Sequence, residues 1–190
     1  NWRARLSEQL GQMQVELIQS IPAMLLDSSL RLCGVASMCA LLDGALPERE
    51  AHPDLYDGSL ALLDVIALDD DNIGWPEGYV RWELGLLAAV GYRLDLARCV
   101  ASGETVDLAY VSPKSGRAVA LHQVGVFANR MLPLPKFLGG VSCPKHDWIA
   151  GLDLTGYFLS KRVFAVHNLA LPAQRKRLAD MVDTRYNGRQ

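Results

Sequence analysis

Four cysteines are the first residues in this 190-residue chain whose type could carry chemistry. A structural zinc site needs four soft ligands, most often two Cys-x-x-Cys pairs. Cys99 is followed three residues later by Ser102 rather than by a cysteine, and His122 is the only other candidate ligand near it. Because one thiol and one imidazole cannot close a tetrahedral site, we expect no zinc and interpret the cysteines as reduced thiols.

A pairing of Cys143 with a histidine is the second candidate for chemistry. His146 lies three residues further on, and the two could form a thiolate–imidazole pair if the fold brought them into contact. Ser142 follows Gly140 at the spacing of a nucleophile elbow, but Pro144 stands where that motif has its second glycine. No phosphate-binding glycine motif occurs either. We therefore expect no enzyme activity, with an enzyme built on Cys143 and His146 as one alternative.

The basic residues form the largest set with one common chemistry. Residues 92–190 hold fourteen basic and seven acidic residues, whereas residues 21–91 hold three basic and twelve acidic residues. A cluster of bases that neutralises phosphates releases counterions, so it binds nucleic-acid backbones with little sequence preference. The alternative is a helix surface whose charges only keep the protein in solution. The bases that we predict to contact DNA are Arg3, Arg5, Lys161, Arg162, Arg175, Lys176 and Arg177.

Apolar residues at helical spacing predict that most of the chain after residue 20 is helical. Apolar residues make up 50% of the chain and charged residues 21%, which is typical of a globular protein. Ser28 or Ser29 caps a first helix that runs to about Leu46, and Pro53 and Pro76 begin the next two. The predicted inward residues of these helices are Leu30, Cys33, Ser37, Leu41 and Gly44, then Leu55, Leu62, Leu63 and Ile66, then Val80, Trp82, Leu84, Leu86, Leu87 and Gly91.

Two more helices are predicted towards the end of the chain. A stripe of apolar and small residues indicates a helix of about six turns that begins at His146. Pro172 begins the last helix, which directs Leu178 inward and leaves the bases at residues 175–177 largely outside. The members of the long stripe are Ile149, Leu152, Gly156, Leu159, Val163 and Val166.

Two β-hairpins are predicted, the first from alternating apolar and polar residues and the second from the composition of its turn. The first covers residues 1–20, and because two strands alone are marginal in water, we expect that it completes a sheet whose other strands precede Asn1. Since the chain starts with Asn1 and not with Met, we expect it to be part of a longer protein. The second hairpin pairs residues 107–111 with residues 117–120 around a turn at residues 112–116.

Six segments follow one another in a distinctive order along nearly the whole chain. In chain order they are WRARLSEQLGQMQVELIQS, ALPEREAHPDLYDGSLALLD, YVRWELGLLAAVGYRLDLARC, LAYVSPKSGRAV, LPLPKFL and LTGYFLSKRV. The stretch from Trp82 to Cys99, followed by the turn at residues 112–116, is the most specific of them. Together these segments resemble the RecO family of bacterial recombination mediators.

The resemblance implies a mainly α-helical fold with two parts. Residues 1–20 would be the last strands of an incomplete OB-fold. Residues 21–190 would form a helical C-terminal domain with a small β-hairpin insertion at about residues 95–125. Many members of the family bind zinc in this insertion through four cysteines. This chain keeps only the first of them, as Cys99, so the insertion resembles a degenerate zinc ribbon.

The resemblance also implies a role as a DNA-binding recombination mediator. Such a protein binds single- and double-stranded DNA and anneals complementary strands. With its partner RecR it helps the recombinase to load onto single strands that are coated by single-strand-binding protein. It also captures the acidic, Phe-ended C-terminal tail of that protein, which requires an apolar slot rimmed by bases.

A protein-interaction module that binds this tail or RecR without contacting DNA is the alternative function. The implied location is the bacterial cytoplasm, in association with the nucleoid. No membrane segment is expected, because no run of about 18 uncharged apolar residues occurs in the chain.

Overall fold

A computed structural model of the chain describes residues 2–5, 11–17, 20–68, 74–141 and 146–187. The described part is mainly helical with a small antiparallel sheet, so the predicted fold class is confirmed. None of its helices combines the length and hydropathy that crossing a membrane requires. The helices are α1 (Ile21–Met24), α2 (Ser29–Ala45), α3 (Pro53–Leu68), α4 (Trp75–Ala89), α5 (Leu121–Val124), α6 (Asp147–Phe158) and α7 (Ala173–Asn187).

Helix α2 packs mainly against α7 and also contacts α3. Ser28 caps it, because the Ser28 hydroxyl oxygen accepts a hydrogen bond from the Arg31 backbone N–H. The predicted inward stripe is confirmed for its first four residues, whereas Gly44 is exposed. Ser37 and the Tyr79 hydroxyl lie 2.6 Å apart in a buried hydrogen bond, which ties α2 to α4.

Helices α3 and α4 pack side by side and share the Ser59–Trp82 hydrogen bond, in which the indole N–H donates to the hydroxyl at 2.9 Å. The inward face of α3 is as predicted, except that Leu63 is only partly buried. In α4 the prediction placed Leu84 and Gly91 inward, but Gly91 is exposed and Leu84 only partly buried. Glu83 is fully buried instead, because its carboxylate pairs with the buried guanidinium of Arg175.

The predicted six-turn helix from His146 is shorter than expected and changes its winding. Helix α6 ends at Phe158, and residues Leu159–Phe164 continue as a π-helix before a short 3₁₀ turn at Ala165–His167. A π-helix closes i→i+5 hydrogen bonds and therefore fits one more residue per turn than an α-helix. The apolar stripe consequently shifts by one position. Phe164 is buried beside Val163, while Val166 is 68% exposed, so the inward placement of Val166 was wrong.

The hairpin of the insertion is part of a three-stranded antiparallel sheet in the order β4-β3-β5. Strands β3 (Leu108–Val111) and β4 (Ala118–Ala120) form the predicted hairpin, with a register irregularity between Leu108 and Tyr110. The added strand, β5 (Leu132–Pro133), belongs to the proline-rich segment and pairs with Tyr110 and Val111. The sheet packs into the same hydrophobic core as the helices.

At the start of the chain, β1 (Trp2–Arg3) pairs antiparallel with β2 (Gln12–Met13). Both strands are shorter than the predicted hairpin. The alternating residues Met13, Val15 and Leu17 are 66%, 77% and 83% exposed, so the apolar face of this segment packs against nothing in the described part of the chain.

Candidate nucleic-acid interface and peptide groove

Four of the predicted DNA-contacting bases are exposed where the α6 segment ends and α7 begins. Lys161 and Arg162 lie in the π-helical turn, and Lys176 and Arg177 lie in the first turn of α7. Because α6 and α7 pack together, the start of α7 is held beside the helix that leads into the π-helical turn. Within the described residues, none of the four forms an ion pair with an acidic side chain.

Arg162 contacts the hairpin insertion and the segment before it. Its Nη2 donates to the backbone carbonyl oxygen of Lys114 at 2.9 Å, and its guanidinium lies 5.3 Å from the centroid of the Tyr92 ring. The side chain of Lys114 is exposed in the β3–β4 turn. Sequence reasoning missed Lys114, although a lysine in a hairpin turn is a recognisable signal of exposure. We call Lys114, Lys161, Arg162, Lys176 and Arg177 the basic surface.

Arg175 is not part of this surface, which corrects its predicted placement. It is 1% exposed and forms a buried ion pair with Glu83, with Nη2 3.0 Å from Oε2 and a second bond from Nε to Oε1. Nη2 also donates to the Leu152 carbonyl oxygen at 2.8 Å, and Thr155 donates its hydroxyl hydrogen to Glu83. Burial alone would lower the pKa of the Arg175 guanidinium, but Glu83 outweighs this effect and raises it. Arg175 is therefore charged, fully paired and out of reach of a phosphate.

The two bases of the first strand lie elsewhere in the chain. Arg3 lies in β1 opposite Gln12, and Arg5 follows two residues later. Both are exposed. They remain predicted DNA contacts, and among the described residues no ion pair joins them to an acidic side chain.

A groove of about 650 Å³ runs between α3 and α4. Small residues line much of it, including Gly58 and Ala61 on α3 and Gly78 and Gly85 on α4, so that the helix backbones themselves form the walls. Trp82 contributes an aromatic wall, and its hydrogen bond to Ser59 fixes the ring orientation. Because its lining is mostly apolar, the groove suits an apolar or aromatic side chain of a ligand.

Two arginines line the groove and make it a candidate site for an anionic ligand. Arg81 is held by Glu77 at 3.4 Å and by the Phe137 carbonyl oxygen at 3.0 Å, and its guanidinium lies over the Phe137 ring. Arg93 is exposed and forms no ion pair with an acidic residue of the described ranges. The groove thus combines a mostly apolar interior with two arginines and one acidic residue, Asp54. The family resemblance implied an apolar slot rimmed by bases without naming its residues.

Cys99 is buried in the insertion, and its sulfur is occupied by hydrogen bonds. Burial raises the pKa of this thiol. The Ser102 hydroxyl and the backbone N–H groups of Ala120, Ser102 and Ala101 outweigh burial and lower the pKa to about 7. The Ala120 N–H lies 3.3 Å from the sulfur. His122 is paired with Glu104 at 3.3 Å.

This donor set does not fit zinc. The described residues contain no group of three or more His, Cys, Asp or Glu side chains that could hold a metal ion. Cys99 offers one sulfur, and the third residue after it is a serine, so a tetrahedral site lacks its other ligands. The insertion is held together by its strand pairing and by packing into the core.

The proposed nucleophile Cys143 lies outside the described residues. The other residue of that hypothesis, His146, is exposed and contacts Trp148 and Tyr186. His146 Nδ1 accepts a hydrogen bond from the Trp148 backbone N–H at 3.4 Å and so caps α6. Its ring stacks on Tyr186 of α7 with 4.9 Å between the centroids.

Comparison with known proteins gives a consistent match over most of the chain. The family model described as "Recombination protein O C terminal" matches residues 27–169. This range includes α2, α3, α4, the insertion and α6, as well as Lys161 and Arg162. It ends before α7.

Among curated proteins, several named "DNA repair protein RecO" are similar to this chain. The protein from Rhodospirillum centenum is 47% identical over 182 residues, which cover 94% of this chain and 71% of the relative. The protein from Rhodospirillum rubrum is 45% identical over 184 residues, which cover 94% of this chain and 73% of the relative. The protein from Jannaschia sp. is 42% identical over 183 residues, which cover 96% of this chain and 73% of the relative.

Proposed function

The chain belongs to the RecO family, and from this premise we propose that it acts in DNA repair and recombination as a mediator that binds DNA without transforming it. The observation that carries the proposal is the basic surface, whose bases are exposed and whose helix-borne members form no ion pair within the described residues. Phosphate contacts of this kind hold a strand in place without reading its sequence. They also reduce the repulsion between two strands, which favours annealing of complementary strands.

Membership of the RecO family also supports specific partners and a division of the chain into two parts. The protein binds single- and double-stranded DNA, and together with RecR it promotes loading of the recombinase onto strands coated by single-strand-binding protein. Residues 1–20 are the end of an OB-fold in which Arg3 and Arg5 contact DNA, and residues 21–190 are the helical domain. We place the protein in the bacterial cytoplasm.

A charge-reversal experiment tests the basic surface. In the variant, Lys161, Arg162, Lys176 and Arg177 are all changed to Glu. The control changes four other exposed bases, Arg49, Arg98, Arg130 and Lys136, to Glu, so that both variants have the same net charge. Binding to a fluorescent single-stranded oligonucleotide is measured by anisotropy at low salt. We expect at least about a tenfold loss of affinity in the variant and a much smaller loss in the control. Equal losses would contradict a specific DNA-binding surface.

The groove between α3 and α4 supports a second function, capture of the acidic, Phe-ended tail of single-strand-binding protein. Its apolar interior suits the terminal aromatic ring, and Arg81 and Arg93 suit the carboxylates of the tail. Changing Arg93 to Glu should weaken binding of a synthetic acidic peptide that ends in Phe, while DNA binding stays unchanged. Loss of DNA binding with retained peptide binding would instead contradict this division between the two sites.

A further inference from the structure

Three interior positions of the two helices that line the groove are glycines. Gly58 lies in α3, and Gly78 and Gly85 lie in α4. A glycine inside a helix makes the helix less stable than an alanine would, because its backbone loses more freedom on folding. Glycine is therefore favoured at such a position only where a side chain would obstruct a contact.

Packing inside the protein accounts for the glycines of α2. A Cβ atom at Gly34 would lie 2.8 Å from the Trp75 ring, and a Cβ atom at Gly44 would lie 2.8 Å from the Phe164 ring. Packed atoms do not approach so closely, so a side chain at either position would push these rings out of place.

The three glycines at the groove have no such neighbour. Among the described residues, nothing lies within 4 Å of the Cβ position of Gly85. The nearest atom to that of Gly58 lies 4.0 Å away on the Trp82 ring, and the nearest to that of Gly78 lies 3.6 Å away on a Leu62 methyl group. Because these are ordinary van der Waals distances, alanine would fit at all three positions. The packing of the protein itself therefore does not require these glycines.

We propose that Gly58 and Gly85 determine the specificity of the groove for an aromatic residue, because they let its ring lie directly on the helix backbones. This inference rests on the proposed capture of the acidic, Phe-ended tail. Both glycines are exposed in the groove, so a ligand reaches their backbone atoms. Trp82 lies one turn before Gly85 on the same face of α4 and gives the ring an aromatic neighbour.

A methyl group at either glycine would hold the ring away from the backbone. The added carbon lies about 1.5 Å from Cα, and a gap of about 0.5–1 Å already removes a quarter to a half of a van der Waals contact. Arg81 and Arg93 would still attract the carboxylates of the peptide. A peptide that ends in Phe should therefore lose affinity, whereas one that ends in Ala has no ring to displace.

The test measures the binding of two synthetic peptides by fluorescence anisotropy, one a run of aspartates that ends in Phe and the other the same run that ends in Ala. Gly85→Ala and, separately, Gly58→Ala should each bind the Phe-ended peptide at least about tenfold more weakly than the wild-type protein. The affinity for the Ala-ended peptide, which is the matched control, should be nearly the same in all three proteins. The affinity for single-stranded DNA should not change either. In thermal unfolding, the midpoint of neither variant should fall below that of the wild-type protein.

The outcomes separate this inference from the function on which it rests. If either variant unfolds like the wild-type protein and binds the Phe-ended peptide as tightly, the inference is wrong while tail capture stands. An equal loss of affinity for both peptides would also contradict it, because the effect would not depend on the ring. If the wild-type protein binds neither peptide, tail capture and the inference both fall. Should Gly85→Ala fail to fold, Gly58→Ala decides.

Discussion

At the scale of single residues, the interior of this protein is organised around one ion pair. Glu83 of α4 and Arg175 of α7 are both almost completely buried, and Thr155 and the Leu152 carbonyl oxygen of α6 complete their hydrogen bonds. Three helices thus meet at one polar contact inside an apolar core. A buried charge without its partner is far more costly than the intact pair is favourable. The pair therefore acts mainly by excluding arrangements of α7 in which Arg175 is unpaired.

This asymmetry gives a prediction for Glu83→Ala. The substitution leaves the Arg175 guanidinium buried without a counter-charge, so the free energy of unfolding should fall by about 3–5 kcal/mol. The double variant Glu83→Leu with Arg175→Met, which removes both charges and keeps apolar volume, should lose much less or nothing. Urea unfolding followed by circular dichroism measures both. A double variant as unstable as the single one would mean that the ion pair itself is strongly stabilising.

Cys99 gives a prediction about pH. Hydrogen bonds to the sulfur lower its folded-state pKa from the ordinary value of 9.0 to about 7. The stabilisation is present above the unfolded-state pKa and is lost as the pH falls through the folded-state pKa. The free energy of unfolding should therefore rise as the pH increases from about 7 to about 9. Urea unfolding across this range should show the rise in the wild-type protein and in the control Cys39→Ala, but not in Cys99→Ala.

At the scale of elements, helix positions were predictable because they depend on local signals. Ser28 as a cap, Pro53 as a first residue and regular apolar spacing are each visible in the sequence. The π-helical turn was not predictable, since it depends on how Phe164 packs in the folded core rather than on local preference. The predicted exposure of Arg175 was wrong for a related reason. Its spacing to Leu178 and Val182 indicates the inward face of α7, but its charge suggested exposure, and only the three-dimensional structure brings Glu83 to it.

The contact between α4 and α6 depends on the absence of a side chain at Gly151. A Cβ atom built there would lie 2.9 Å from the Phe137 ring and 3.0 Å from a Val80 methyl carbon, closer than packed atoms tolerate. Gly151→Ala should therefore destabilise the protein by about 1–3 kcal/mol, although alanine favours the helix. Gly85→Ala in α4 is the control, because nothing lies within 4 Å of its Cβ position. It should be neutral or stabilising by up to about 1 kcal/mol in thermal or urea unfolding.

At the scale of the whole molecule, most ion pairs of the described residues lie within the acidic half or within the basic half of the sequence. The middle segment, residues 21–91, contributes one described ion pair to the last thirty residues, between Glu83 and Arg175, and this pair is internal. Its exposed acids, such as Asp57 and Asp64 on α3, do not pair with the bases of the basic surface within the described residues. The sequence composition predicted such a division of charge. It could not predict which bases would be used internally, because this depends on pairing between distant helices.

The salt dependence of DNA binding measures how many of these bases contact phosphates. If all five bases of the basic surface contact phosphates, they should contribute about −4.5 to the slope of the logarithm of the affinity for duplex DNA against the logarithm of the salt concentration, and Arg3 and Arg5 should contribute about −1.8 more. Lys114→Gln should then reduce the steepness by about 0.9, because one phosphate contact is lost. Lys136→Gln, an exposed lysine outside the basic surface, should leave the slope unchanged. The Glu83→Leu and Arg175→Met double variant should leave it unchanged too, since Arg175 is buried. The opposite result would contradict the basic surface. If the slope became shallower in this double variant but not in Lys114→Gln, the DNA contacts would depend on the position of α7 and not on Lys114.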